Sequence, residues 1–320
     1  MSDTAELVTI GITCFNAADT IERALESAVK QDWANCEIIL VDDCSTDGSL
    51  QIANSFANKH RQIRIIKRER NGGPAASRNT ILQNANGVFI AFFDDDDISY
   101  QHRVSEQVQQ LKAFEKTHKA DFVACYSSGQ RRYENGYIKP MEAIGSRGEP
   151  FLERGLVAKS ILVHDQKKNY YYGSGTPACA LMARKKTFEE VGDFDDSMRR
   201  VEDADFAIRL DLIGGAFTGT KKLGFEQFAT HAPDKSPEKN LEAEVLLAQK
   251  NKSYLDALGL YYYGNNWPRL RYLHFKRQYT KFIRCFAGLF IRYPIRSLRH
   301  LVATGPARLL HERSISRVKV

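Results

Sequence analysis

The run Phe92-Phe93-Asp94-Asp95-Asp96-Asp97-Ile98 places four consecutive carboxylates at the end of the apolar stretch Val88–Phe93, which reads as a buried strand. Two such charges about 4 Å apart repel by roughly 4 kcal/mol at an effective dielectric near 20, so the cluster is costly without a compensating cation. A divalent metal is the natural compensation, because hard carboxylate oxygens suit magnesium or manganese held beside phosphates. Side chains alternate along extended backbone, so Asp94 and Asp96 are expected to project together. The plainer role is a solvated acidic loop in which Asp97 or Ser99 caps a helix running from about Gln101 to Lys116.

A second acidic group, Glu202-Asp203-Ala204-Asp205, opens an amphipathic helix containing Phe206, Ile208, Leu210 and Ile213. Helix chemistry alone accounts for acids there. Carboxylates in a first turn favour the macrodipole by ~0.3 to 1 kcal/mol, and Asp205 and Arg209 form an i,i+4 pair.

The elements that must position these groups alternate. Leu7–Cys14 reads as a strand and Asp19–Lys30 as a helix, with Asp19 as its cap; Glu37–Val41 is followed by a helix from about Asp47 to Asn58, and Ile63–Ile66 by a helix after Pro74. Such alternation implies a parallel sheet with helices on both faces and ligands beyond the carboxyl ends of the strands. Those ends carry Thr13-Cys14-Phe15-Asn16 and Asp42-Asp43-Cys44-Ser45-Thr46-Asp47-Gly48, residues equally at home in turns and caps. Asn71-Gly72-Gly73-Pro74-Ala75-Ala76-Ser77-Arg78-Asn79 is a glycine turn into a helix, able to present N–H groups and Arg78 to an anion. It is neither a dinucleotide fingerprint nor a Walker loop.

Taken in order, the Thr13, Asp42-Asp43, Asn71–Asn79 and Asp94–Asp97 motifs resemble glycosyltransferase family 2, over roughly Leu7 to His231. The resemblance implies a GT-A fold, a Rossmann-like, mostly parallel sheet flanked by helices, and inverting transfer from a nucleotide sugar. It places Thr13 and Asp43 at the nucleobase, Asp94 or Asp95 at the ribose, Asp96 on Mn2+ or Mg2+, and Arg78 near the nucleotide. Asp203 corresponds to the family's general base. His231 follows the strand-like Phe225–Thr230, where similar enzymes carry a His on diphosphate or metal, although a lone His is more often structural.

The acceptor half is less patterned. After the strand Phe122–Tyr126, residues 127–169 read as hairpin and loop; Tyr170-Tyr171-Tyr172 suit either a sugar face or a core. Ala178–Ala183 reads as a strand, Arg184–Val191 as a helix, and Ser236–Leu258 as a helix with Pro237 in its first turn. The expected organisation is a catalytic domain over residues 1–235, split into a nucleotide-sugar half (1–100) and an acceptor half (101–235), and a helical region over 236–320.

Charge separates the last part from the rest. From Trp267 to Val320 there are 13 Lys+Arg against Glu312 alone, a net of +12 in a chain of +7, leaving the body at −5. Phe282, Ile283, Phe286, Leu289, Phe290 and Tyr293 recur at helical spacing against Arg277, Lys281 and Arg284, the pattern of an interfacial helix on an anionic membrane. The same pattern also fits a helix packed on the catalytic domain. No run reaches the ~18 to 20 apolar residues of a span and the first residues lack a leader, which argues for a cytoplasmic protein peripheral to the inner face of the membrane. The six cysteines form no Cys-x-x-Cys pair and read as reduced core residues.

The leading reading is therefore a non-processive, metal-dependent glycosyltransferase, with a UDP-sugar as first choice of donor and a glycan or lipid-linked acceptor, and with no nucleic-acid partner. The absence of a Gln-x-x-Arg-Trp element after Asp203 also argues against a processive synthase; Gln130-Arg131-Arg132-Tyr133 is upstream and incomplete. A sugar-nucleotide nucleotidyltransferase shares the alternation but calls for a Gly-rich basic loop after the first strand, where Thr13-Cys14-Phe15-Asn16-Ala17 stands. A noncatalytic nucleic-acid or membrane-binding module would rest on the tail alone, with steep salt dependence of nucleic-acid binding as its signature.

Overall fold

The computed structural model describes residues 5–229 and 236–316. They form two compact units: 5–132, 138–158 and 166–228 in the first, 133–137, 159–165, 229 and 236–316 in the second.

Alternating apolar strands and amphipathic helices build the first unit as expected: β1 (Val8–Cys14), α1 (Ile21–Val29), β2 (Cys36–Asp42), α2 (Ser49–Ala57), β3 (Ile63–Lys67), α3 (Gly73–Asn84) and β4 (Phe89–Asp94). β5 (Ile98–Ser99), α4 (Arg103–His118), β6 (Val123–Arg132), β7 (Ile138–Met141) and α5 (Leu156–Val163), of which only the first three residues belong to this unit, follow, then β8 (Leu181–Arg184), α6 (Lys185–Val191), α7 (Glu202–Leu212) and β9 (Ala216–Phe228). One nine-stranded sheet runs β3-β2-β1-β4-β8-β6-β9-β5, with β7 on β6. β3, β2, β1 and β4 are parallel. β8 then runs antiparallel to both β4 and β6, so the sheet is mixed beyond the fourth strand.

Strand order reverses beside β1, and the crevice outside the carboxyl ends of β1 and β4 is a topological switch point of the kind that binds ligands in open α/β sheets. Ile10, Ile12, Ile38, Leu40, Phe89 and Ala91 are fully buried at the centre of the core. Gly11 lets α3 approach the sheet, since a Cβ there would meet the Ile81 side chain at 2.5 Å.

Several local expectations are corrected. α1 is capped at Thr20 without a side-chain bond, and Asp19 lies one residue outside it. Neither Asp97 nor Ser99 caps α4, whose N-cap is His102. Ala178–Ala180 is a 3-10 turn and only Leu181–Arg184 is strand, because the Cys179 and Ala180 carbonyls are turned toward Arg103 and Gln107. The stretch 127–169 is more regular than its composition suggests, holding most of β6, all of β7 and α5. Tyr170 and Tyr172 pack edge-on to Phe151 at 5.1 and 5.0 Å, the core alternative for those tyrosines.

The second unit is helical: α8 (Pro237–Lys250), α9 (Lys252–Ala257), α10 (Tyr261–Phe275), α11 (Tyr279–Arg292) and α12 (Pro294–Ser316). α8 and α9 divide at Asn251 what the sequence suggests is one helix, and Ser236 caps α8 by accepting from the Lys239 N–H, with Pro237 at its first position. Among the described residues no helix is long and apolar enough to cross a membrane.

Candidate active site

Three strand ends converge and are bonded to one another. The Phe15 N–H after β1 donates to Asp95 after β4 at 2.9 Å. Asn16 receives the Thr46 N–H at 2.8 Å, and its own N–H donates to Ser45 Oγ at 3.0 Å, which locks the β1 and β2 loops together. Asn16 and Cys44 both adopt left-handed backbone, with φ of 51° and 71°. That conformation is tolerable for Asn and costly for Cys, and such strain collects at functional loops.

Thr13 pairs across the sheet with Val41 on one side and Asp94 on the other, half-buried at the floor of this crevice. Asp43 is 2% exposed. Its carboxylate accepts from the Gly73 N–H at 2.7 Å, the Gly72 N–H at 2.9 Å and Arg68 at 2.5 Å. The glycine turn thus folds around Asp43, and Gly73 (φ 83°) supplies a backbone conformation that side chains resist.

The four aspartates do not continue the strand. β4 stops at Asp94 and Asp95-Asp96 form a turn, so the expected alternation of Asp94 and Asp96 on extended backbone is replaced by a bend. The reason is tertiary: Arg23 donates to the Asp96 carbonyl, and Phe15 holds Asp95. Burial, then repulsion from Asp96 and Asp94, pushes Asp95 up to about 8 against the Phe15 N–H. Burial also raises Asp94, with Asp96 and Glu202 adding to it and Arg78 opposing.

Asp97 is the residue that sequence reasoning misplaced. It is 5% exposed and neither carboxylate oxygen has a hydrogen bond of good geometry. Burial, then Asp94 and Asp96, lifts it to about 9, with weak relief from the Phe228 backbone and Arg103. Asp94, Asp97 and Cys179 place ligand atoms within 4.8 Å of one another. The orphaned Asp97 oxygens and the crowded carboxylates fit a hard divalent cation, whereas the soft sulfur of Cys179 does not suit magnesium or manganese. His231 lies outside the described residues.

Arg78 joins the two acidic groups. It is 6% exposed and donates to Glu202 at 2.5 Å, with Asp94 at 3.8 Å, its guanidinium near the rings of Phe92 and Phe194. Burial alone would lower it; Glu202 and Asp94 outweigh that and raise it. α3, which carries Arg78, is pinned to the chain ahead of α7 by a reciprocal pair, Asn79 Nδ2 to the Phe194 carbonyl and the Phe194 N–H to Asn79 Oδ1, each 2.8 Å.

Asp203 is left half-buried while its neighbour Glu202 is consumed by Arg78. Burial, then Glu202, pushes it up to about 6, against Arg78 and the Ala204 N–H, which donates at 2.8 Å. The residue before the motif, Val201, has φ 60° and ψ 17°, an outlier for a β-branched side chain at the helix N-cap. Asp205 takes the helical role foreseen for it, paired to Arg209 at 2.8 Å.

Arg103 escaped sequence reasoning, which offers no signal beyond a basic residue in the helix after the aspartates. It is 2% exposed and donates to the carbonyls of Phe92 (2.9 Å) and Cys179 (2.6 Å), to Ser99 Oγ and to Gln107 Oε1, while stacking over Phe93. It clamps the end of β4 to the turn before β8, behind the carboxylates.

The Glycosyl transferase family 2 profile matches residues 9–188. The chain is 29% identical over 266 residues, 82% of its length and 94% of the relative's, to Escherichia coli WfaP, a UDP-Glc:alpha-D-GlcNAc-diphosphoundecaprenol beta-1,3-glucosyltransferase. Among solved structures it resembles S. aureus TarS 1-349 in complex with UDP (TM-score 0.57, 23% identity, 85% of this chain and 73% of that one); it spans 39% of the longer TarS chain. The mannosyltransferase PcManGT from Pyrobaculum calidifontis, with GDP-Man and Mn2+, matches at TM-score 0.55 and 16% identity over 97% of this chain and 82% of that one. The architecture is the GT-A fold, with a helical, basic C-terminal extension. With more than half of its length matched and the motifs converging at the expected strand ends, the chain belongs to glycosyltransferase family 2 and is a glycosyltransferase.

Proposed function

We propose that this protein is an inverting, non-processive transferase that moves a sugar from a UDP-sugar to a lipid-linked glycan on the inner face of the cell membrane, with residues 1–235 as its catalytic domain. The observation that supports this reading is the chain of contacts Asp94–Arg78–Glu202, which links the acidic turn after β4 to the residue next to Asp203. In this reading the nucleobase lies against Thr13 and Asp43, and Asp94 or Asp95 binds the ribose. Asp96, with His231, would hold Mn2+ or Mg2+, and a cation so held supplies charge neutralisation for the departing diphosphate.

The protein's own groups perform the rest. Asp203 accepts the proton of the acceptor hydroxyl as that oxygen bonds to the anomeric carbon, and the bond from that carbon to the diphosphate oxygen breaks with inversion. A base raised to about 6 is ionised at neutral pH and still basic enough to work. Glu202 and Asp94 engage Arg78, whose charge also favours the ionised form of Asp203.

A UDP-linked donor is supported by the name of the WfaP relative, and so is a diphospholipid-linked acceptor. The test is a panel of UDP-, GDP- and dTDP-sugars with diphosphoprenyl-linked saccharides, with and without Mn2+. UDP-sugar turnover that needs the cation is expected; turnover unchanged by a chelator, or confined to another nucleotide, overturns the corresponding part.

A further inference from the structure

The last helix of the second unit, α12, is inside out. On α12, Ser297 and His300 are buried and Arg308 is half-buried, whereas Ile295, Leu298 and Val302 are 67%, 52% and 63% exposed. His300 finds its partners within the unit. His300 lies flat between Trp267 (3.6 Å) and His164 (4.4 Å), and its Nδ1 meets the Tyr263 hydroxyl at 3.0 Å.

α11 divides its apolar residues, which corrects the single stripe suggested by the sequence. Leu289 is buried, Phe282 and Phe286 are half-buried and stacked on each other, and Tyr293 packs edge-on to Tyr263. Ile283, Phe290 and Ile291 face outward, Ile291 at 80% exposure. The exposed positions 283, 287, 290 and 291, then 295, 298 and 302, follow one face of each helix.

We propose that the outer faces of α11 and α12 are the surface by which this protein lies on an anionic phospholipid bilayer, with Ile283, Phe290, Ile291, Ile295, Leu298 and Val302 entering the interface. The proposal deepens the membrane reading above and rests on it only for the biological purpose. Charge selects the occupant. Lys281, Arg284, Arg292 and Arg299 are exposed around these apolar positions, and Glu312 is the sole acid among residues 267–320. A second copy would bring two such basic faces together, which like charges oppose. Single-stranded nucleic acid is gripped by aromatic stacking, and a duplex by its phosphates with no use for apolar side chains, whereas the exposed set here is mainly aliphatic. An interfacial helix needs this combination of aliphatic insertion and basic rim.

The experiment uses the full chain, sedimented with phosphatidylglycerol-containing and pure phosphatidylcholine vesicles at low and high salt. Three proteins are compared: wild type, the double variant Ile291→Glu/Leu298→Glu, and the charge variant Lys281→Ser/Arg284→Ser. Circular dichroism and UDP binding check the fold of each. Wild type should partition to anionic vesicles, and the double variant should lose at least about tenfold in partitioning at both salts. The charge variant should lose its preference for anionic lipid while keeping residual binding. Wild type that ignores anionic vesicles at low salt overturns the proposal, as does a folded double variant that binds like wild type. So does a concentration-dependent dimer in analytical ultracentrifugation that the double variant abolishes, since the face would then be a self-interface. Transfer to a short-chain, water-soluble acceptor is measured alongside. If it fails in wild type, the proposed donor and acceptor fail and the partitioning result still stands by itself.

Discussion

The two units solve opposite problems with the same alphabet. The first buries charge: Asp43, Arg78, Asp97, Arg103 and Glu202 are each under 9% exposed. The second leaves aliphatic side chains in water on α11 and α12 while folding a histidine and an arginine inward. Buried ions are costly, and removing one partner of such a pair typically destabilises, whereas an exposed Leu contributes little to folding. A region that keeps costly charge inside and one that keeps apolar surface outside both give up stability for something other than folding.

The sharpest way to break this contrast is at Asp203, the proposed base. Asp203→Asn should keep UDP affinity near wild type and lose about 10² to 10⁴ in transfer rate, measured with a lipid-linked acceptor. Activity within a factor of about two would return Asp203 to a helix-terminal role. In wild type, kcat/KM should fall roughly tenfold per pH unit below about 6, because the carboxylate whose pKa burial and Glu202 raise must be ionised to accept a proton. A flat profile to pH 5 removes Asp203 from the reaction.

Asp96→Asn should cost at least about 10² in rate and weaken Mn2+-dependent UDP binding in calorimetry, with the thermal midpoint unchanged or raised, since one repelling carboxylate is gone. Unchanged Mn2+-dependent affinity would remove Asp96 from the metal. Arg103→Met should destabilise by roughly 3 kcal/mol in urea titration, because the Phe92 and Cys179 carbonyls lose a buried donor. A loss below about 1 kcal/mol would mean that water replaces the clamp. The smallest effect belongs to the other unit. Leu298→Ser should change stability by no more than about 0.5 kcal/mol, and a loss of 2 kcal/mol would show that the side chain is covered in solution.

Some of the site was legible in one dimension because its chemistry is local. Asp94–Asp97 and Glu202-Asp203 are contiguous, and Asp205 with Arg209 obeys helical spacing that no tertiary contact needs to supply. Arg78–Glu202 spans 124 positions, and the clamp from Arg103 to Cys179 spans 76. No window of sequence contains either. Asp97 reads as a cap from composition, and its burial is set by the turn at Asp95-Asp96 and by the segment around Phe228.

The amino-acid sequence by itself determined the alternation of strand and helix, the acidic groups at the strand ends and the basic character of the tail, since each follows from periodicity, adjacency or a count. Tertiary structure decided which carboxylates are paired and which are raised, because a pKa depends on what is packed around a group and not on its neighbours in the chain. It also decided which side of α11 and α12 faces outward. A helix with apolar residues over most of its circumference has no intrinsic inside. Here the stacking of His300 on Trp267 and the burial of Leu289 select one.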